Sequence, residues 1–139
     1  MCAKASMSTG ASSVPAAQTL GKRAEDLAAG YFQDRGYRIL HQGYRTRLGE
    51  IDLILEDKDR EIVFVEVKAR SSERYGLPQE AVTPRKQRQI ARTALRYLQE
   101  RGLPFRDVRF DILAIRFIGG CPLFDHIPRA FGGEALETP

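Results

Sequence analysis

Cysteine and long apolar runs are both scarce in this sequence. The 139 residues include two cysteines, Cys2 and Cys121, which provide no disulfide framework and no metal-binding spacing, so we expect a reducing compartment. The N-terminus lacks the basic start and the apolar stretch of a secretory signal, and no stretch is long enough to span a bilayer. These absences predict a soluble cytoplasmic protein with no membrane partner.

The sequence does contain enough apolar residues for one core. Its hydrophobic content is 42%, which is ample for a single domain, whereas 139 residues are too few for two ordinary domains. Small and polar residues predominate in 1–18, where we expect a disordered leader. Residues 19–128 are predicted to form the domain and 129–139 a loose tail, and we find no internal repeat.

The spacing of apolar residues predicts two helices and five strands. A helix over 20–35 follows the capping residue Thr19, and a second helix begins at Pro84 after the capping residue Thr83 and ends before Gly102. Alternation of side chains predicts strands over 37–44, 50–56, 62–69 and 108–117, and a short edge strand over 123–127.

The predicted strands 50–56 and 62–69, joined by a short polar turn, carry charges where a core strand would carry none. Alternation assigns one face of the first strand to three aliphatic residues: Ile51, Leu53 and Leu55. If the two strands pair as neighbours, another face gathers Asp52, Glu66 and Lys68. Because buried charge is costly unless it is paired or holds a metal ion, the pattern predicts a charged site.

Three further acids need an interpretation. Glu25 borders the apolar stripe of the first helix while Asp26 points away from it, so only Glu25 is placed to reach the sheet. Taken alone, Glu25 is better interpreted as an ordinary first-turn acid that the helix dipole favours. Asp111 interrupts the aliphatic strand 108–117. We interpret it as the anchor of an arginine ion pair rather than as a supporting partner of the charged site.

Positive charge is in excess: the formal net charge is +4, and basic residues dominate between Arg70 and Arg101. One side of the second helix carries a row of arginines: Arg85, Arg88, Arg92 and Arg96. With Lys86 at the helix N-terminus, where backbone donors are free, and with no acid in the row, we favour phosphate contact over a merely solvated face.

Other candidate phosphate contacts lie in the connections beside the hairpin: Arg45, Arg47, Arg70, Arg74 and Tyr75. For the last three, a merely solvated loop is an equally good interpretation. Gly49 follows the first of these connections. Its missing side chain would allow the close approach of a phosphate or of a neighbouring strand.

Residues 49–54 (Gly-Glu-Ile-Asp-Leu-Ile) and 63–70 (Val-Phe-Val-Glu-Val-Lys-Ala-Arg) together resemble the signature of the YraN family of small bacterial proteins. The function of this family is poorly defined. Its fold resembles the PD-(D/E)xK nuclease superfamily, which includes restriction endonucleases and archaeal Holliday-junction resolvases. The resemblance covers roughly 20–117. A lone Glu-x-Lys is a weak signal, but its combination with an Asp strand, a short turn and an upstream helix acid is specific.

The resemblance implies an α/β fold, restriction endonuclease-like, with a central mixed sheet, an antiparallel hairpin at its core and helices on its faces. Asp52 and Glu66 would hold Mg²⁺ or Mn²⁺ together with the backbone carbonyl of Val67, and Glu25 would complete the metal site. Lys68 would lie by the attacking water, as a base or as a charge stabiliser. The implied activity is hydrolysis of DNA, with branched and single-stranded forms among the candidate substrates and a homodimer as a candidate assembly.

Two departures from the superfamily limit the implied substrate. Ile51 occupies the position before the metal-binding Asp where many members have proline, and the second helix lacks the Gln-x-x-x-Tyr pattern of RecB-like nucleases. Three functions therefore stay open: a metal-dependent nuclease, a nucleic-acid-binding protein that keeps the fold without cleaving, and a protein-interaction module whose charges form a structural ion-pair network.

Overall fold

Five strands form one sheet whose spatial order follows the order along the chain. The computed structural model describes residues 20–70, 82–103 and 106–132. The elements in these residues are α1 (Leu20–Asp34), β1 (Arg38–Thr46), β2 (Gly49–Glu56), β3 (Ile62–Arg70), α2 (Pro84–Glu100), β4 (Val108–Ile118) and β5 (Cys121–Phe131). The sheet order is β1-β2-β3-β4-β5.

The strand directions make this sheet mixed. β1, β2 and β3 are antiparallel neighbours, β3 and β4 are parallel, and β5 returns antiparallel to β4. The parallel step follows from α2, which lies between β3 and β4 in the chain and provides the crossover that parallel neighbours need. The predicted α/β fold, with a mixed sheet, an antiparallel hairpin at its core and flanking helices, is confirmed.

The two helices cover opposite faces of the sheet. Phe32 of α1 packs in one buried cluster with Leu53 of β2, whereas Tyr97 of α2 packs in a second cluster with Phe64 and Phe110. β3 contributes residues to both clusters, so it is buried on both faces. A charged side chain in β3 must therefore find a partner or an opening in the sheet.

The strands and helices begin and end within two residues of the predicted bounds, except for β5. This strand extends to Phe131 and so includes 129–131, which we had assigned to the loose tail. The extension has a physical reason, because the Phe131 ring stacks on Phe110 at a centroid distance of 5.0 Å and is buried there. The capping role of Thr83 is confirmed by its side chain, which accepts a hydrogen bond from the backbone N–H of Lys86.

Cys121 is the first residue of β5, and the other cysteine, Cys2, lies outside the described residues. The expected reducing compartment stays a prediction. The leader 1–18 and the capping residue Thr19 lie outside the described part of the chain. No helix within that part is long and apolar enough to cross a membrane.

Candidate active site

β2 and β3 separate at one end of their hairpin, and charged residues lie where they part. The backbone pairing between the two strands ends at Leu53 and Val65. Asp52 is the residue before Leu53 in β2, and its Oδ2 atom accepts a hydrogen bond from the backbone N–H of Val67 at 2.8 Å. Beyond this point β2 stays paired with β1, and β3 with β4. The Asp52 carboxylate therefore lies in an opening between two strands that are each held from the other side.

β2 also changes face across Asp52. Leu53 and Leu55 pack in the cluster beneath α1, whereas Ile51 packs in the cluster beneath α2. The expected regular alternation, with these three residues on one face, is therefore wrong. We attribute this change to β1, where Gly43 lies between Gln42 and Tyr44, the partners of Leu53 and Ile51, and has a φ of +73°. This left-handed conformation, which glycine adopts readily, breaks the pleat and releases Asp52 from it.

Glu66 lies beside two lysines. Its side chain is 9% exposed, and its Oε2 atom is 3.4 Å from Lys68 Nζ and 3.9 Å from Lys86 Nζ. Lys68 follows Glu66 by two positions in the same strand, so both side chains leave on the same face, as expected. Lys86 comes from the first turn of α2. The sequence predicts phosphate contact for Lys86, and its place among the acids is an addition from the structure.

Glu25 approaches this group from α1. Its Oε1 atom lies 3.6 Å from the point that a Cβ atom on Gly43 would occupy, so the missing side chain leaves room beside Glu25. Burial raises the pKa of Glu25, and the charge of Asp52 raises it further. Glu25 is therefore linked electrostatically to the acids of the hairpin through Asp52, although it comes from the helix on the other face.

The two acids of the opening are difficult to ionise together. Burial is the main reason that the pKa of Glu66 rises to about 7, and the Asp52 charge adds to it, while Lys86 and Lys68 act in the opposite direction. Burial also raises the pKa of Asp52, against the hydrogen bond from Val67. Such a pair retains a proton more readily than free carboxylates do, and a cation between the two groups would relieve their repulsion.

Asp52 and Glu66 fit a hard divalent cation as a pair of ligands. Magnesium sites in proteins use one or two carboxylates and keep several waters, so two acids and a carbonyl such as that of Val67 form a sufficient donor set. The described residues contain no group of three or more His, Cys, Asp and Glu side chains that could hold a metal ion. The structure thus brings Asp52 and Glu66 together but does not make Glu25 part of a preformed three-acid cage.

A cleft of about 610 Å³ opens over the first two turns of α2. Its lining consists of Leu48, Thr83, Arg85, Lys86, Arg88, Gln89 and Arg92. Three of the four predicted arginines therefore line one concave surface together with Lys86. Because Lys86 also pairs with Glu66, the cleft and the acids are neighbouring parts of one site. A concave surface with four cations suits phosphate groups.

Two premises about α2 need correction. Arg96 Nε donates a hydrogen bond to Glu100 Oε2 at 3.0 Å, so the statement that no acid shares the arginine row is wrong. The backbone N–H of Lys86 donates to the Thr83 hydroxyl at 3.2 Å and is not a free donor for a ligand. Phosphate contact at Lys86 must therefore depend on its side chain.

The remaining predicted phosphate contacts are not among the described residues that line the cleft. Arg45 Nε lies 3.5 Å from Glu50 on the surface, and Arg47 is exposed next to Leu48 of the cleft. Arg70 is the half-buried last residue of β3. The candidates Arg74 and Tyr75 lie outside the described residues.

Gly49 is closely approached by a side chain from α2, and it also pairs with Thr46 of the neighbouring strand β1. A Cβ atom at this position would lie 2.8 Å from Gln89 Cγ, and Gln89 Nε2 donates a hydrogen bond to the Leu48 carbonyl at 3.1 Å. Gln89 thus ties α2 to the turn before β2. No sequence pattern indicates this role of Gln89, although the glycine directly before the charged strand does indicate a close contact.

Asp111 belongs to a different network, which confirms its interpretation as an arginine anchor. It is fully buried and accepts hydrogen bonds from Arg109 Nε at 3.1 Å and from the Arg129 backbone N–H at 3.0 Å. His126 Nε2 lies 2.7 Å from its other oxygen. The histidine was not predicted, and no sequence pattern linked it to Asp111.

Comparison with known proteins identifies relatives that match most of this chain. The model of uncharacterised protein family UPF0102 matches residues 24–115. This is the YraN family to which the hairpin signature is similar, so that prediction is confirmed. A UPF0102 protein of Syntrophus aciditrophicus is 54% identical over 95 residues, which are 68% of this chain and 74% of the relative. One of Geobacter sulfurreducens is 46% identical over 113 residues, or 81% and 88% of the two chains.

Solved structures show a more distant likeness. A repair endonuclease from Pyrococcus abyssi is 20% identical, with a TM-score of 0.37, over 70% of this chain and 39% of its own. A complex of EndoMS with double-stranded DNA is 22% identical, with a TM-score of 0.38, over 70% and 38% of the respective chains. This chain therefore spans well under half the length of either protein.

Proposed function

The chain belongs to uncharacterised protein family UPF0102, and from that premise and the geometry of its acids we propose that it is a metal-dependent nuclease that hydrolyses phosphodiester bonds in DNA. One observation carries the proposal. Asp52 and Glu66 lie together where β2 and β3 separate, with Lys68 on Glu66 and the arginine-lined cleft alongside. Acids, an amine and phosphate-binding cations are the groups that phosphodiester hydrolysis needs in one place.

Asp52, Glu66 and the carbonyl of Val67 would hold Mg²⁺ or Mn²⁺. When bound, such an ion polarises the scissile phosphate and lowers the pKa of a coordinated water. The raised pKa of Glu66 supports this assignment, because a carboxyl that resists ionisation alone gains most from a neighbouring cation. Glu25 would act on the ion through its charge and through waters, since it adjoins Asp52 from the α1 side.

The other residues of the site have roles that follow from their positions. Lys68 holds its ammonium 3.4 Å from Glu66 and can stabilise the negative charge that develops on a phosphate oxygen. Arg85, Arg88 and Arg92 would bind the DNA backbone in the cleft and fix the position of the scissile bond. Because contacts to phosphates carry no direct sequence information, we propose that the cleft binds DNA with little dependence on sequence.

A second candidate function is nucleic-acid binding without cleavage. The observation that favours it is the pairing of Glu66 with both Lys68 and Lys86, which neutralises the acid without any metal. In that case the acids would stabilise the fold, and the cleft alone would be functional.

The two functions are separated by one assay with matched variants. Purified protein is incubated with labelled duplex, single-stranded and four-way-junction DNA in Mg²⁺ or Mn²⁺, alongside Asp52→Asn, Glu66→Gln and the control Asp26→Asn. Asp26 is an exposed acid of α1 that accepts a hydrogen bond from Gln42 and pairs with Lys22. Nuclease activity predicts cleavage that requires the metal, disappears in the first two variants and persists in the control. Binding without cleavage in all four proteins would support the second function instead.

A further inference from the structure

We propose that Lys86 couples metal binding to DNA binding by leaving Glu66 for a phosphate group in the cleft. The inference rests on the proposed function, because it assumes that Glu66 is a metal ligand. It adds a role that neither the charge pattern of the hairpin nor the arginine row assigns to this lysine. Lys86 would be a positioning residue that makes the affinity for DNA depend on the metal.

The position of Lys86 is what distinguishes it from its neighbours. Among the residues that line the cleft, it is the one whose side chain forms an ion pair with an acid of the opening. Its Nζ is 3.9 Å from Glu66 Oε2, against 3.4 Å for Lys68, and its side chain is 35% exposed, against 26%. Lys86 is therefore the looser of the two partners and the one with open space beside it.

The backbone of Lys86 is fixed, so an exchange of partners involves the side chain alone. Its N–H is hydrogen-bonded to Thr83 in the capped first turn of α2. Gln89, one turn further on, ties the same helix to the Leu48 carbonyl. A lysine side chain has four rotatable bonds and a compact charge, which allow its ammonium to change partners while its Cα stays in place.

The exchange is driven by competition for one oxygen atom. A divalent cation on Glu66 carries twice the charge of an ammonium and repels Lys86 at short range. The displaced ammonium can turn to the cleft, where Arg85 and Arg88 already favour an anion. Without the metal, a phosphate in the cleft must compete with Glu66 for Lys86. Metal and DNA should therefore strengthen each other's binding by the same factor, as linkage requires.

The test measures binding and does not depend on catalysis. Mn²⁺ affinity is measured by calorimetry at a pH above 8, where Glu66 is ionised, for the wild type, Lys86→Gln, the control Arg88→Gln and Asp52→Asn. Arg88 lines the same cleft, so its replacement removes one cation from the site as Lys86→Gln does. Affinity for a hydrolysis-resistant phosphorothioate duplex is then measured by fluorescence anisotropy with and without Mn²⁺.

The expected results differ between the two variants. Lys86→Gln should bind Mn²⁺ about 3- to 10-fold more tightly than the wild type. The gain in DNA affinity from Mn²⁺, about 5-fold or more in the wild type, should be clearly smaller in this variant, because only the direct contact of the ion with phosphate remains. Arg88→Gln should weaken DNA binding, keep the gain from Mn²⁺ and leave Mn²⁺ affinity nearly unchanged.

Two other outcomes would contradict the proposals. The first contradicts only the role of Lys86, and the second contradicts the proposed function as well. If the wild type binds Mn²⁺ through Asp52 but Lys86→Gln changes neither its affinity nor the gain in DNA affinity, the coupling role of Lys86 is wrong and the nuclease proposal stands. If the wild type and Asp52→Asn both fail to bind Mn²⁺, the proposed function is wrong, and the role of Lys86 fails with it.

Discussion

The Asp52 carboxylate is hydrogen-bonded to the backbone N–H of Val67, at 2.8 Å. This N–H belongs to the peptide group that joins Val67 to Glu66, so the position of one acid is tied to the backbone of the other. The bond links β2 to β3 beyond their last backbone pair, Leu53 and Val65. Two carboxylates are therefore held close together by the sheet itself, although their charges repel each other.

Replacing Glu66 with glutamine should make the stability of the protein less dependent on pH. The pKa of Glu66 is raised from 4.5 to about 7 in the folded chain, mainly by burial. A raised carboxyl pKa favours folding below the unfolded value, and this contribution is lost as the pH rises through the folded value. Glutamine cannot ionise, so the free energy of unfolding of Glu66→Gln relative to wild type should increase by about 1–3 kcal/mol between about pH 5 and pH 8.

Urea unfolding at both pH values, in the presence of a chelator, measures this difference. Asp26→Asn is the control, because Asp26 is a surface acid on α1. If the relative stability of Glu66→Gln is the same at both values, Glu66 is not buried as a protonated group, and the electrostatic account of the opening is wrong.

Gly49→Ala should destabilise the fold by about 1–3 kcal/mol. The new Cβ atom would lie 2.8 Å from Gln89 Cγ, and the φ of +152° is unfavourable for alanine. Combining it with Gln89→Ala should recover part of the loss, because the contact is removed while the backbone strain persists. A double-mutant cycle of thermal unfolding gives the coupling between the two positions.

Gly21→Ala provides the matched control for this substitution. Gly21 is inside α1, and nothing lies within 4 Å of the position of its Cβ atom, so alanine there should stabilise the helix by about 0.5–1 kcal/mol. Additivity between Gly49→Ala and Gln89→Ala would mean that the two residues are not in contact.

Much of the fold could be predicted because its local signals agree with one another. Alternating aliphatic residues identified the hairpin, and the positions of Thr83 and Pro84 identified the start of α2. The pairing of Glu66 with Lys68 followed from their spacing of two in a strand. These predictions concern neighbours in sequence, for which backbone geometry alone decides which side chains can meet.

The parts of the site that were not predicted depend on contacts between distant segments. We attribute the change of face at Asp52 to Gly43 in the adjacent strand, and no pattern within 50–56 indicates it. Lys86 reaches Glu66 because the start of α2 lies over the open end of the hairpin. Its place depends on the path of the chain between β3 and α2, which alternation and capping signals do not determine.

Asp111→Ala should destabilise the protein by about 3–5 kcal/mol, since it would leave Arg109 and His126 without their shared buried partner. Asp111 also accepts the backbone N–H of Arg129, which has a φ of +52° beside the register shift between β4 and β5. Asp125→Ala is the control, because Asp125 is an exposed residue of β5. Denaturant unfolding compares the two variants. A loss below about 1 kcal/mol for Asp111→Ala would mean that the network contributes little to stability.

Replacing Arg88 and Arg92 together with alanine should weaken DNA binding and flatten its dependence on salt. Each phosphate contact contributes about 0.9 to the slope of log affinity against log salt, so the slope should fall by about 2 if both arginines touch phosphates. The control is Lys22→Ala with Arg23→Ala, which removes two positive charges from α1 on the opposite face of the sheet. Fluorescence anisotropy over a range of salt concentrations measures both pairs. If both pairs of substitutions cause the same loss of DNA affinity, binding depends on the net charge of the protein. A localised interface would instead make the loss depend on which face of the sheet carries the charge.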